Sequence, residues 1–164
     1  MIRKEQPVES GEVADLQQLA NTLATVPETL RRIVGDRTAD DLRQPGHDGS
    51  NAGVEIICHL LDWEEINGER IWKILHEDHP QMESWDDSLW SIEHDYLSRD
   101  ALDYLDQFAV QRANLVEMLG DLESDALQRT AELDERGTVT LEWLLQKAIT
   151  HDEKHIAELT EALS

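Results

Sequence analysis

Cysteine occurs once in this chain, as Cys58, which excludes an intrachain disulfide and with it the stapled scaffolds of small secreted domains. No apolar run reaches the length that spans a bilayer, and no secretory leader pattern is present, so a cytoplasmic protein is expected. Basic residues are scarce as well: 14 Lys and Arg stand against 36 Asp and Glu, a formal net charge of -22. With no cluster of Lys and Arg to meet phosphates, nucleic-acid binding is not expected, and an anionic membrane surface is disfavoured for the same reason. Strand alternation is missing too. "RGTVTL" at 136–141 reads as a turn leading into a helix. Internal repeats and low-complexity segments are absent. What remains is a 164-residue chain with 40% apolar content, enough for one domain, 1–164, with a real core.

Apolar residues recurring at three and four define four helical segments and an all-α fold. The first runs from about Glu12 to Gly35, through Val13, Leu16, Leu19, Ala20, Leu23, Leu30 and Val34, with Pro27 as a kink or a new first turn. The second runs from about Asn51 to Glu77 behind Ser50 as N-cap, carrying Ile56, Ile57, Leu60, Trp63, Ile71 and Ile74. Within it Cys58 reads as a small buried hydrophobe. The third spans roughly Arg99 to Leu119 behind Ser98, with Leu102, Leu105, Phe108, Ala109, Leu115, Val116 and Leu119 inward. The fourth runs from about Thr140 to Leu163. These lengths suit a four-helix bundle. The stretch from Glu77 to Ser98 is long enough to cross the bundle and leave helices two and three parallel; its Trp85, Trp90, Ile92 and Tyr96 are expected to pack against the bundle.

Chemistry concentrates in two short stretches. "THDEKHIAEL" at 150–159 puts His151 and His155 four apart, on the face that carries Leu144, Ala148, Leu159 and Ala162. It is not the zinc-protease motif H-E-x-x-H, because Asp152 follows His151 and Glu153 comes one place later. In "EIICHLLDWE" at 55–64, His59 shares a face with Ile56, Trp63 and Ile66. Three inward imidazoles on two helices point to one shared metal site, with hydrogen-bonded core histidines as the alternative. His47, His76, His79 and His94 read as surface residues.

"EIICHLLDWE" followed about ninety positions later by "HDEKHIAEL" resembles the DinB-like (YfiT-like) four-helix-bundle metalloenzyme family. Glu55, His59, Leu60, Asp62 and Glu64 fall on its helix-two pattern. Thr140, Leu141, His151, Asp152 and His155 fall on its helix-four pattern. Where that family opens helix two with Trp-Ser, this chain has Asn51 and Ala52. The resemblance extends over roughly Glu12 to Leu163 and implies a bundle with a crossover connection between helices two and three. It implies His59, His151 and His155 as ligands of a divalent metal, for which three neutral imidazoles suit zinc or nickel and leave positions open for water or substrate. It further implies a hydrolase, or an S-transferase using a low-molecular-weight thiol cosubstrate, acting on a small-molecule substrate. Asp62, Trp63 or Asp152 would shape the pocket or orient a ligand imidazole. The relatives often pair, so a homodimer is compatible with it. The competing expectation is a non-enzymatic stress-related or partner-binding bundle with a structural metal or none; an accessible cavity beside the histidines separates the two.

Overall fold

In the computed structural model the described residues are 15–164, so the expected start of the first helix at Glu12, with Val13, lies outside them. That first segment is two helices. Asp15 caps α1 (Leu16–Ala24), its Oδ1 accepting from the Gln17 N–H at 2.8 Å. The chain then re-enters α2 (Val26–Val34) with Pro27 in the first turn, where its missing N–H leaves no helical bond unmade. Gly35, at φ 57, ends α2 in the backbone region that disfavours a side chain.

α3 (Gly53–His76) begins later than the sequence pattern predicts, and Ser50 does not cap it. The preceding loop closes on itself through Gly46 N–H to Ser50 C=O and Ser50 N–H to His47 C=O, both 3.0 Å. The cap is instead the Glu55 carboxylate, which accepts from the Ala52 N–H at 3.1 Å. Gly53 sits in close packing: a Cβ there would lie 3.1 Å from the Leu42 side chain, which would have to give by a few tenths of an ångström, and in ordinary contact with Leu159 at 3.5 Å. α5 (Ala101–Gly120) is capped by Asp100, not Ser98, whose hydroxyl is spent on the Asp95 carbonyl at 2.9 Å. Leu102, expected inward, is exposed, whereas Leu105, Phe108, Leu115 and Leu119 are buried. α6 (Leu141–Ala162) starts from Thr140, whose hydroxyl accepts from the Trp143 N–H at 3.1 Å.

The direction of each helix follows from two core clusters at opposite ends of the bundle. One contains Leu16, Leu23, Ile71, Ile74, Leu115, Leu119 and Leu144; the other Val26, Leu30, Ile57, Leu60, Leu105, Phe108 and Leu159. Along α3 and α5 the chain passes from the second cluster to the first, while along α1–α2 and α6 it passes from the first to the second. Helices α3 and α5 are therefore parallel, as the long connection predicts, and α6 runs antiparallel to α3. The connection returns along the bundle through the short helix α4 (Trp90–Glu93). Trp90 and Tyr96 are buried on it, but Trp85 and Ile92 are exposed, since only one face of so irregular a segment can meet the bundle.

A small sheet departs from the all-helical expectation. β1 (Gln81–Met82) pairs parallel with β2 (Thr130–Leu133), which pairs antiparallel with β3 (Gly137–Thr140). "RGTVTL" is thus mostly strand. Two to four residues are too few to display a period of two, yet Met82, Ala131, Leu133 and Val139 are buried and close one end of the first cluster. Among the described residues no helix is long and apolar enough to cross a membrane.

Candidate metal centre

His59 on α3 and the pair His151 and His155 on α6 meet between the two antiparallel helices. His151 Nε2 lies 3.1 Å from His59 Nε2 and 3.1 Å from His155 Nε2, and the three candidate donor atoms all fall within 4.8 Å of one another. Burial depresses all three imidazole pKa values, because the charged form loses its hydration; for His59 and His151 a protonated neighbouring ring adds repulsion, and for His155 the Lys154 charge does. His151 is driven furthest, to about 3, by burial and then by His155 and His59. At neutral pH the rings are uncharged, the state that donates a lone pair.

Hydrogen bonding alone does not satisfy this arrangement. His155 Nδ1 lies 2.7 Å from Glu158 Oε2; an ionised carboxylate only accepts, so the ring proton is assigned to Nδ1 and His155 Nε2 carries a lone pair. His151 Nε2 then faces two other ring nitrogens with one in-plane site, either a proton or a lone pair. It can complete one linear bond and not two. Metal–nitrogen bonds of 2.0–2.1 Å give nitrogen–nitrogen edges of roughly 3.0–3.4 Å, a range that includes the two 3.1 Å edges at His151, so the three residues fit a shared cation.

The centre opens onto a pocket of about 300 Å³ whose wall includes Asn51, Glu55, Asp87, Ser91, Lys154 and Glu158. Asp87 comes from the crossover connection. Its Oδ2 stands 3.6 Å from His59 Nε2 and accepts a 2.9 Å hydrogen bond from Trp63 Nε1. Trp63 also packs against Trp90 and His151 with ring centroids 5.4 and 5.9 Å apart. Of the three residues expected to shape or support the site, Trp63 is therefore beside it. Asp62 instead accepts from Tyr96 Oη and pairs with His94 Nδ1 at 2.8 Å. Asp152 faces away from the histidines, because one residue along a helix turns the side chain by about 100°, and it is buried against Arg112 at 2.8 Å.

Several contributors escaped the sequence reading. Glu158 was readable in principle, since a carboxylate three residues after His155 on a helix reaches its ring. Asp87 carried no periodic signal. Arg112, on the buried stripe of α5, joins Glu64 of α3 to Asp152 of α6, at 2.7 and 2.8 Å, in a cluster whose side chains are at most 5% exposed. Its signal was a cation at a core position. His47, His76, His79 and His94 are exposed, and no metal-ligating group among the described residues includes them.

Residues 22–159 match the model of the DinB superfamily. No curated protein matches the sequence. Among solved structures, the chain is similar to YfiT from Bacillus subtilis, described as "a probable metal-dependent hydrolase with an unusual four-helix bundle topology". The two share 24% identity over 97% of this chain and 91% of that one, with a TM-score of 0.82.

Proposed function

Because the chain belongs to the DinB superfamily, we propose that it is a divalent-metal-dependent hydrolase in which His59, His151 and His155 hold the ion. The observation that carries this reading is the convergence of three neutral imidazole nitrogens at the wall of an accessible pocket. A purely structural centre would be closed by a fourth side chain, and none joins the three histidines among the described residues. YfiT, which has the same fold and is described as a probable metal-dependent hydrolase, supports the same class. Zinc or nickel suits the donor set.

The residues around the centre have separable roles. A bound cation would supply Lewis-acid charge and lower the pKa of water or a thiol. Glu158 fixes the His155 tautomer and ring orientation. Asp87, held by the Trp63 indole, is placed to take the proton from an attacking water. Cys58 is not the nucleophile, since burial, followed by the Asp62 charge, pushes its thiol up to about 12. The pocket also has room for a small thiol, which keeps S-transfer as the second reading.

Titration with zinc and nickel, followed by elemental analysis, should give one ion per chain. Asp87→Asn should keep that ion and lose about a hundredfold or more in turnover of activated esters and amides. A variant that keeps full turnover removes Asp87 from the mechanism; conjugation of thiols without any hydrolysis selects the second reading.

A further inference from the structure

The helices that carry the histidines continue past them as matched stripes. On α3, His59, Trp63, Asn67 and Arg70 follow one another at helical spacing; on α6, His151, Lys147 and Trp143 do so in the opposite chain direction. Since the helices are antiparallel, the stripes face each other along a groove that starts at His151 and Asp87 and leads away from the first pocket. The groove holds a cavity of about 250 Å³, overhung by Trp85 of the crossover.

Its walls combine rings and positive charge in an otherwise acidic chain. Trp63 and Trp143 are half-buried and Trp85 is 52% exposed at the mouth. Arg70 Cζ lies 5.5 Å from the Trp63 centroid and Lys147 Nζ lies 5.9 Å from that of Trp143. Five of the twelve described Lys and Arg residues pair with carboxylates, and Arg70 and Lys147 are among the seven that do not, so both charges are available to the groove. Arg70 spends one N–H on the Glu83 carbonyl at 2.6 Å and keeps other donors.

We propose that this groove binds the substrate, a planar apolar carboxylic acid, with its ring among Trp63, Trp85 and Trp143 and its carboxylate met by Arg70 and Lys147. The chain's own cations already occupy ring faces of Trp63 and Trp143, so a cationic ligand meets repulsion where an anion meets attraction. The Asp87 carboxylate at the inner end repels the acid group, which sets the orientation: acid outward, reactive end towards the histidines. The cavity is at the small end for ligand pockets and admits a bicyclic ring, not a large cofactor. This proposal deepens the hydrolase reading and rests on it for the direction of the reactive end.

Calorimetry and tryptophan quenching with naphthoic acid and its neutral analogue naphthylmethanol test the groove, on metal-stripped and zinc-loaded protein in parallel. The acid should bind about tenfold more tightly than the alcohol in both forms. Arg70→Gln and Lys147→Gln should remove that preference without altering the circular dichroism, and Trp85→Ala should weaken both ligands. Lys147 and Trp85 are exposed, so their variants keep the test valid if Arg70→Gln fails to fold. Equal binding of acid and alcohol, binding of neither, or full acid preference in the Arg70→Gln and Lys147→Gln double variant overturns the proposal. Zinc binding without naphthoate binding sinks this inference alone; naphthoate binding without zinc binding sinks the metal reading and leaves the groove standing.

Discussion

Replacing Arg112 by Met would orphan two buried carboxylates at once. The guanidinium side chain is 2% exposed; it donates to Glu64 at 2.7 and 2.8 Å, to Asp152 at 2.8 and 3.2 Å and to the Leu23 carbonyl at 2.9 Å. Burial opposes its charge, but Glu64 and then Asp152 outweigh burial and hold it protonated. Burial likewise raises the pKa of Asp152, with Arg112 pulling it back. Removing one partner from a buried ion pair costs about 3–5 kcal/mol, and the loss of a shared partner for two carboxylates places this variant at the upper end. That is a large part of the roughly 5–15 kcal/mol available to a domain. Asp152, whose pKa burial already raises, escapes by binding a proton once its cation is gone. Its folded-state pKa then lies further above the unfolded value of about 3.9, so the folded state holds more protons in that window and stability falls as pH rises through it. The deficit relative to the native chain should be small near pH 4 and largest at pH 7. Replacing Glu64, Arg112 and Asp152 together by Leu, Met and Leu leaves no orphaned charge, only the Leu23 carbonyl without the Arg112 donor, and should stay within about 2 kcal/mol of native. Urea unfolding followed by circular dichroism, with m-values compared, measures all three. A loss below about 1 kcal/mol at pH 7 in the single variant, or a triple variant no better than the single, would refute the reasoning.

Further outcomes follow from the histidine centre. His59→Ala should release most of the metal while the helical signal stays near native, because the apolar stripes supply the core; full metal occupancy in that variant would remove His59 from the ligand set. Glu158→Gln should weaken metal affinity about 10- to 100-fold by loosening the His155 ring, read by competition with a chelator. In the metal-stripped protein the depressed histidine pKa values mean that the unfolded chain binds protons first. Stability is then fully present above pH 6.5 and declines below it, for His151 by about 1.4 kcal/mol per pH unit down towards its folded value of about 3. A flat denaturation midpoint between pH 7 and 5 would contradict that burial.

What the sequence made legible is what helical periodicity repeats. His59, His151 and His155 sit on apolar stripes, so spacing suggested a shared site beside the alternative of bonded core histidines, and the family resemblance supplied the ligand set. The long connection likewise implied parallel second and third helices. Asp87 could not be anticipated, since it reaches the centre through the path of an aperiodic segment and is bonded to Trp63, 24 residues earlier. The caps were misplaced where several competent residues crowd together: Asp95, Ser98 and Asp100 all precede α5, and only the path of the backbone decides that Asp100 faces the first free N–H groups. The small sheet was hidden because β1 and β2 pair across about fifty residues, with strands too short to show alternation.

The crossover and the site are consequences of one topological choice. With α3 and α5 parallel, Arg112 comes level with Glu64, and the same register brings Gln111 to Glu65 at 3.2 Å. A parallel pair has no short loop, so the chain must travel back along the whole bundle. That return segment starts from the end closed by the small sheet, lays Trp85 and Asp87 over the groove between α3 and α6, and tucks Trp90 and Tyr96 into the opposite cluster. An up-down-up-down bundle with the same three histidines would need no such segment and would leave them without the carboxylate at 3.6 Å. On the proposed function, the carboxylate that would differentiate a reactive centre from a bare ligand set, Asp87, thus arrives with the connection. Variation in that segment, more than in the helices, is where chemistry on this fold can change while the bundle persists.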